Sequence, residues 1–273
     1  VNVIDRGAFF SRDRSNTAKT LENSHVVFVG VGSLGSAVSI QLARAGLGRL
    51  TLIDPDRLES PNLGRHMLGA EDLGKFKSQA MRHRLLQDLP VLDVTALDTY
   101  IEWVMGQKPD IFEDVDLVII TTADWESESA LWEKKASGAK WGLIQAWSEP
   151  HTLVGHALIA PEGRFDARYL FSDRGDFRHR FTDWPDGGVV PLPACGESFI
   201  PGGSAGMNGV ATMVTQAAIR YLTTVGDVTQ WHSSVYRPDE AGVLGGRYTG
   251  PVLPEGVVHS VFERNWPKPG QNA

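Results

Sequence analysis

Three glycines near the N-terminus have the spacing of a turn that binds a nucleotide phosphate. Gly30, Gly32 and Gly35 stand between a short apolar segment and a segment with helical periodicity. In that context the first glycine permits a tight turn, the second lets backbone N–H groups approach a phosphate, and the third lets helix pack on strand. Asp54 follows nineteen residues after Gly35, at the end of a second apolar segment, where an acid commonly binds ribose hydroxyl groups.

Charged residues farther along add groups suited to phosphate chemistry. A long polar segment covers residues 55–74, and long irregular segments inside compact domains are often functional. Lys77 then opens the apolar face of a predicted helix, at the end where the helix dipole disfavours a cation unless a polyphosphate is bound nearby. A lysine that extends to solvent is the alternative interpretation. Asp124 follows a strongly apolar strand, so we expect it on the same rim of a parallel sheet as Gly32 and Asp54.

Cys195 is the only cysteine in the chain and precedes a helix that we expect to begin near Ala205. A free thiol titrates near pH 8.5, so a nucleophilic cysteine needs a helix N-terminus or a nearby cation to lower its pKa. An inert buried cysteine is the ordinary alternative. Its place at the end of a long loop of small residues favours a nucleophile that receives a large acyl group. A single cysteine also excludes an internal disulfide.

These residues require a sheet whose strands end at a common edge. The apolar patterns predict an α/β fold, a Rossmann-like mixed sheet with a parallel N-terminal half and an antiparallel C-terminal half. The predicted strands cover residues 25–29, 49–54, 91–100, 115–122, 141–147 and 152–159. The predicted helices cover residues 36–45, 77–89, 127–137 and 205–222.

Length and composition bound the organisation of the chain. With 273 residues, of which 42% are hydrophobic, the chain can bury one full hydrophobic core and carry a smaller lobe on it. We therefore predict a single domain over residues 1–273. Its expected parts are an N-terminal arm (1–24), a long crossover loop that carries Cys195 (160–204) and C-terminal hairpins with a tail (225–273).

Charge and hydropathy argue against two classes of function. The formal net charge of −7 does not fit a nucleic-acid-binding protein, which normally has a basic face. No apolar run reaches the roughly eighteen residues of a membrane-spanning helix. The N-terminal sequence also lacks the pattern of a secretory signal. We therefore expect a soluble cytoplasmic protein that binds neither nucleic acid nor membrane.

Four motifs, in this order, resemble the HesA/MoeB/ThiF superfamily of ubiquitin-activating-type adenylating enzymes. They are Gly30-x-Gly32-x-x-Gly35, then Leu52-Ile-Asp54-Pro-Asp56 continuing to Asn62-Leu-x-Arg65, then Gly74-x-x-Lys77, and Thr121-Thr-x-Asp124. A segment Arg65-His-x-Leu-Gly and the cysteine before a helix are most similar to the activating enzymes of bacterial antiphage ubiquitin-like conjugation operons.

The resemblance implies an enzyme that uses ATP and Mg²⁺ to adenylate the C-terminus of a ubiquitin-like protein that ends in glycine. The implied nucleotide-binding residues are Gly30, Gly32, Gly35, Asp54, Asp56, Asn62, Arg65, Lys77, Asp124 and Arg6. Among them Arg65 and Lys77 are expected to bind phosphate, and Asp124 to hold Mg²⁺. Asp54 is expected to accept hydrogen bonds from the ribose, with Asn62 near the phosphates and Asp56 anchoring its loop.

The same resemblance implies a second step and an assembly. Cys195 would take the activated tail as a thioester and pass it to a conjugating enzyme or a fused conjugating domain. In a homodimer, an N-terminal arginine would reach the phosphates of the partner subunit. Arg6 lies at the matching distance before Gly30, and Arg12 and Arg14 are its rivals. Many relatives bind structural zinc through two Cys-x-x-Cys pairs, whereas this chain has a single cysteine. We therefore predict that it binds no zinc and that its crossover loop is untethered.

Three other functions remain open from the sequence. One is adenylation without a thioester, acting on a sulfur carrier, a peptide or a nucleoside. Another is an NAD(P)-dependent oxidoreductase, which explains the glycines and Asp54 but leaves Lys77 and Asp124 without a role. The last is a non-catalytic scaffold in a conjugation complex.

Overall fold

A computed structural model of the protein describes residues 4–13, 15–188, 190–191, 198–199, 201–224 and 228–267. Its strands are β1 (His25–Val29), β2 (Arg49–Ile53), β3 (Asp93–Leu97), β4 (Leu117–Ile120), β5 (Gly142–Ser148), β6 (Val154–Ala160), β7 (Thr182–Asp183), β8 (Val190–Pro191), β9 (Ser198–Phe199), β10 (Gln230–Tyr236), β11 (Arg247–Tyr248) and β12 (His259–Asn265). Its α-helices are α1 (Arg6–Phe9), α2 (Thr17–Leu21), α3 (Ser33–Ala45), α4 (Lys77–Asp88), α5 (Ile101–Gln107), α6 (Trp125–Ala136), α7 (Ser204–Thr223) and α8 (Glu240–Val243).

Eight of these strands form one mixed sheet in the order β12-β10-β6-β5-β4-β1-β2-β3. The strands from β3 to β5 pair in parallel, whereas β6, β10 and β12 add antiparallel pairs. The predicted fold class is therefore confirmed, including the parallel N-terminal and antiparallel C-terminal halves. Within the parallel half the order 3-2-1-4-5 is that of a doubly wound fold.

Two separate hydrophobic cores cover the faces of the sheet. The side chains of β1 alternate between them, as the two-residue period of a strand requires. Val26 and Phe28 pack with α3, α4 and α7 in one core. Val27 and Val29 pack with α5, α6 and the aromatic residues of the crossover loop in the other. Burial of all five residues of β1 explains why the four residues after His25 are all apolar.

The carboxyl ends of β1, β2 and β4 meet at one edge of the sheet. After β1 the chain moves outward to β2 and β3, and it then returns to the other side of β1 to form β4. In open α/β sheets, ligands bind in the crevice at such a reversal of strand order. Gly30, Asp54 and Thr121 directly follow the three strands, so the fold positions them at this crevice.

The element boundaries differ most from the sequence prediction at α3 and β3. Helix α3 begins at Ser33, earlier than the predicted residue 36, because the helix starts directly after Gly32. Strand β3 ends at Leu97, and the predicted strand to residue 100 is replaced by a turn into α5. Ile101 and Val104 of α5 are buried, so tertiary packing stabilises this helix. It is too short for its apolar residues to show a helical periodicity in the sequence. Within the described ranges, no helix is long and apolar enough to cross a bilayer.

Candidate functional site

The glycine turn joins the end of β1 to the start of α3. Gly30 has a φ of +87°, in the left-handed region that glycine adopts without strain. A Cβ atom at Gly35 would lie 2.1 Å from the carbonyl oxygen of Gly30, so the helix packs against the strand too closely for any other residue. At Gly32 no atom lies within 4 Å of the corresponding position. The turn thus leaves room for a ligand at the N-terminus of α3, where anions bind well.

A cavity of about 240 Å³ opens beside this turn. It lies at the carboxyl ends of β1, β2 and β4, and we call it the rim cavity. Six of the residues predicted to bind a nucleotide line it, namely Gly30, Gly32, Asp54, Asp56, Lys77 and Asp124. Tyr100 and Ile101 contribute an apolar wall. The structure therefore brings together residues that are up to 94 positions apart in the sequence.

Asp54 joins the glycine turn to the end of β2. Its carboxylate accepts a hydrogen bond of 2.6 Å from the Val31 N–H and one of 2.8 Å from the Asp56 N–H. Burial raises the pKa of Asp54, and the two backbone N–H groups act in the opposite direction. Each oxygen of Asp54 thus accepts one backbone bond, which holds the carboxylate in place at the cavity, and each keeps further capacity to accept.

Lys77 begins α4 and points into the rim cavity. Its ammonium lies 2.8 Å from a carboxylate oxygen of Asp56, and its side chain is only 11% exposed whereas that of Asp56 is 66% exposed. The ammonium therefore does not extend into solvent, in contrast to that of Lys75, which is 54% exposed. A cation held at the wall of a cavity beside a helix N-terminus suits an anionic ligand.

Asp124 caps the N-terminus of α6 at the opposite wall. One of its oxygens accepts a hydrogen bond of 3.2 Å from the Ser127 N–H, and the other makes no hydrogen bond to the described residues. The preceding Ala123 has a φ of +54°, an uncommon conformation for alanine. Its strain of order 1–3 kcal/mol is the kind that functional sites often contain. The turn that carries Asp124 is fixed to the glycine turn, because the Thr121 hydroxyl donates to the Gly30 carbonyl at 2.9 Å.

The donor set of the cavity fits a hydrated Mg²⁺ bound together with phosphates. Such ions are usually held by one or two carboxylates, with water and phosphate completing the octahedron. Asp124 and Asp56 both present carboxylates to the cavity, and both are exposed. No group of three or more His, Cys, Asp or Glu side chains gathers as a metal site within the described part of the chain, which does not include Cys195.

Asn62 and Arg65 lie on the segment after β2 and do not line the rim cavity. Asn62 closes a short 3₁₀ turn, where its side-chain oxygen accepts a 3.0 Å bond from the Glu59 N–H. The buried His66 ties this segment to the glycine turn, because its Nε2 lies 2.7 Å from the Val31 carbonyl oxygen. Burial lowers the pKa of His66, so a neutral imidazole donates this bond. The sequence motif contained His66, but its positioning role was not predicted.

Arg6 lies far from the rim cavity of its own chain. Its guanidinium donates to the carbonyl oxygens of Gly46 and Ala18 and lies 3.3 Å from Glu22. Gly46 follows the C-terminal end of α3, whereas the glycine turn precedes its N-terminal end. Action of Arg6 on a partner subunit remains a prediction. Of its rivals, Arg12 is exposed and Arg14 lies outside the described residues.

Cys195 also lies outside the described residues, but residues 161–188 of the crossover loop are described. The prediction of an untethered loop is wrong for this part. The buried Glu149 accepts bonds of 2.7 Å from the N–H groups of Phe181 and Thr182 and one of 2.5 Å from the Thr182 hydroxyl. His156 adds a fourth contact at 2.7 Å. A carboxylate therefore fastens the loop to the sheet.

Glu128 is a second buried acid that sequence reasoning missed. It lies one turn after Asp124 on α6, is 6% exposed, and accepts a 2.7 Å bond from the Gln145 amide. Burial raises the pKa of Glu128 to about 8, so the side chain is mostly a neutral acid at pH 7. Its burial could hardly be predicted, because the segment Trp-Glu-Ser-Glu-Ser is typical of an exposed helix start.

Comparison with known proteins identifies relatives of this architecture. The model of the ThiF family matches residues 5–224. MoeZ of Mycobacterium tuberculosis, named a probable adenylyltransferase/sulfurtransferase, is 25% identical over 221 residues, which are 80% of this chain and 52% of MoeZ. The ATP-dependent ubiquitin transferase-like protein Cap2 of Pseudomonas aeruginosa is 27% identical over 209 residues, 71% of this chain and 37% of Cap2.

A solved structure shares the fold. A crystal structure of E. coli MccB with ATP superposes with a TM-score of 0.57 and 19% identity, covering 91% of this chain and 65% of MccB. At that identity the likeness concerns the fold alone. The chain spans about half the length of the curated relatives it matches.

Proposed function

This chain belongs to the ThiF family, and on that premise we propose that it is an ATP-dependent adenylyltransferase that activates the C-terminal carboxylate of a ubiquitin-like or sulfur-carrier protein. The observation that carries the proposal is the rim cavity, where a glycine turn, the largely buried side chain of Lys77 and the carboxylate of Asp124 converge. The names of MoeZ and Cap2 support adenylation with ATP.

The proposed reaction joins a carboxylate oxygen of the tail to the α-phosphorus of ATP and breaks the bond to pyrophosphate. Both reactants are anions, so the site must hold them in line and neutralise the charge that develops on phosphate oxygens. Lys77 and the N-terminus of α3 supply positive charge on one side of the cavity. Asp124 and Asp56 would hold Mg²⁺, which when bound offsets the charge of the leaving pyrophosphate.

The remaining predicted residues have supporting roles in this proposal. Asp54 accepts from a ribose hydroxyl through the lone pairs that its two backbone bonds leave free. Asn62 and Arg65 act from the segment that His66 holds against the glycine turn, with Arg65 clamping phosphate through its planar guanidinium. We also place the single domain in a cytoplasmic homodimer, in which Arg6 changes partners from Gly46 to the neighbouring subunit's nucleotide.

Substitution of Lys77 tests the adenylation site. Lys77→Ala should slow ATP–pyrophosphate exchange by roughly 2–4 kcal/mol in barrier terms, which is about 30- to 1,000-fold. The exchange is measured with a small co-purifying protein that ends in glycine, and MgATP affinity is measured separately by calorimetry. Lys75→Ala is the matched control, because Lys75 is exposed and pairs with Asp72 at 2.8 Å. Exchange at the wild-type rate in Lys77→Ala would rule out the assignment.

The thioester step is a finer part of the proposal. Cys195 would attack the acyl-adenylate carbonyl, so that a C–S bond forms, AMP leaves, and the thiol proton passes to solvent. A non-reducing gel after incubation with partner and MgATP should show an adduct that dithiothreitol removes and Cys195→Ala lacks. Adenylate formation with no such adduct would favour activation without a thioester, as the sulfurtransferase part of the MoeZ name suggests.

A further inference from the structure

A second cavity, of about 400 Å³, lies behind the first turn of α6. Asp124 and Ser127 on this turn line the rim cavity, whereas Ala123, Trp125 and Glu128 line the second one. We call it the side cavity. The first turn of α6 therefore forms the wall between the two cavities.

The walls of the side cavity are aromatic. Trp125 stacks near Phe171 with ring centroids 5.0 Å apart, and Trp147 meets Phe177 edge to face at 4.8 Å. All four residues line the cavity. Their rings are held by their neighbours, so a ligand would meet a surface that needs little reordering.

The polar groups of the side cavity separate into a hydrogen-bonded floor and a charged mouth. Glu128 and Gln145 lie at the floor and hydrogen-bond to each other at 2.7 Å. At the mouth, Arg180 pairs with Asp176 at 2.6 Å, while Arg174 makes no ion pair with the described residues. The exposed guanidinium of Arg174 places one further positive charge at the mouth, which attracts an anionic chain end, while the carboxylate of Glu149 is engaged by its bonds to the crossover loop.

The crossover loop supplies the outer wall of the side cavity. Phe171 and Phe177 belong to this loop and are 4% and 5% exposed. Glu149 fixes the loop four residues after Phe177, at Phe181, and also lines the cavity. The cavity is thus built jointly by the sheet, α6 and a fastened loop.

We propose that the side cavity receives a bulky apolar side chain of the substrate tail, one or two residues before its terminal carboxylate. This inference rests on the proposed function, which brings that carboxylate to the α-phosphorus of ATP in the rim cavity. An extended chain advances about 3.3–3.6 Å per residue, so a large side chain one or two residues before the carboxylate stays close to the first turn of α6, whose residues line both cavities. Aromatic walls bind leucine, phenylalanine or tryptophan better than glycine, because they remove more apolar surface from water.

Free-carboxylate pentapeptides test the proposal with the full chain. The peptides are Gly-Gly-Gly-X-Gly and Gly-Gly-X-Gly-Gly, with X as glycine, leucine, phenylalanine or tryptophan. Their affinity is measured by calorimetry in the presence of a non-hydrolysable ATP analogue with Mg²⁺. We expect one series to show at least about tenfold tighter binding when X is aromatic than when X is glycine.

Filling the cavity should remove that preference. Ser148 lines the side cavity at the end of β5, so Ser148→Trp should abolish the gain from an aromatic X, and the smaller Ser148→Leu should reduce it. Gln87→Trp introduces the same side chain at an exposed position of α4 and should leave the preference intact. Nucleotide binding by each variant shows that it is folded.

The two proposals fail in different ways. If the wild-type chain binds the ATP analogue but all peptides bind equally or not at all, the assignment of the side cavity is overturned and the proposed function stands. An aromatic preference that persists in both Ser148 variants overturns it as well. If the wild-type chain does not bind the ATP analogue, the proposed function itself fails.

Discussion

Replacing Glu149 by glutamine should release the crossover loop from the sheet. The carboxylate accepts four contacts, two on each oxygen, from Phe181, Thr182 and His156. An amide of the same shape has only one acceptor oxygen. Whichever way the glutamine amide turns, its NH₂ group faces the N–H of Phe181 or of Thr182, so a buried donor loses its acceptor.

The size of the effect follows from these contacts. A buried donor without a partner costs about 1–3 kcal/mol, and bonds to an ionised group contribute about 1.5–3 kcal/mol. Breaking a buried network of this kind costs about 3–5 kcal/mol in total. Because the free energy of unfolding of a domain is about 5–15 kcal/mol, the loss is large but leaves the sheet able to fold.

Urea unfolding and hydrogen exchange measure the two parts of this prediction. The free energy of unfolding of Glu149→Gln should fall by about 3–5 kcal/mol, and the amides of Phe181 and Thr182 should exchange at least a hundredfold faster. Asp173→Asn, an exposed substitution in the same loop, should change stability by less than about 0.5 kcal/mol. Unchanged stability with protected Phe181 and Thr182 amides would refute the reasoning.

The same contacts determine a response to acid. Burial opposes ionisation of Glu149, but the bonds from His156, Thr182 and Phe181 outweigh it and lower the pKa of this carboxyl. Its contribution to stability is therefore complete above its ordinary pKa of 4.5 and is lost as the pH falls through the lowered value. The Glu149→Gln variant should lack this part of the acid dependence.

Three further predictions concern other buried positions. Burial lowers the pKa of Lys135 to about 8. As the pH rises from about 8 to 10.5, the free energy of unfolding of the wild type should therefore rise by up to about 3 kcal/mol relative to that of Lys135→Met. A difference between the two proteins that stays constant with pH in urea titrations would contradict this. Glu128, with its pKa raised to about 8, should act oppositely, so the wild type should lose stability relative to Glu128→Gln between about pH 4.5 and 8. Gly35→Ala should lower the free energy of unfolding by about 1–3 kcal/mol because it overpacks the helix against the strand. Gly32→Ala has open space around its position, so it should leave the thermal midpoint nearly unchanged and weaken MgATP binding, as measured by calorimetry.

The central part of the site could be predicted because strand ends determine it. Gly30, Asp54 and Asp124 each follow an apolar strand, and the carboxyl ends of parallel strands meet at one edge. Lys77 joined them through its place at a helix start. Family membership, inferred from four motifs in order, is confirmed by the family match over residues 5–224.

The fastening of the crossover loop could not be predicted, because its partners are distant in sequence. Glu149 contacts Phe181, 32 residues later, within a polar loop that carries no periodic pattern. The absence of zinc-binding cysteines indicated that zinc does not hold the loop, but it gave no information that a buried carboxylate does so. The pairing of Lys77 with Asp56 depends on a local distance across the loop after β2, which sequence spacing does not determine.

The ion pair between Lys77 and Asp56 implies that the cavity prefers ligands that carry more negative charges. A ligand that takes the ammonium must compete with a carboxylate already 2.8 Å away, and an anion with several charges competes better than one with few. A triphosphate can displace Asp56, whereas AMP carries less charge and offers a weaker attraction. In the proposed reaction, the departure of pyrophosphate lets Asp56 recover its partner, so the ion pair would favour release of AMP.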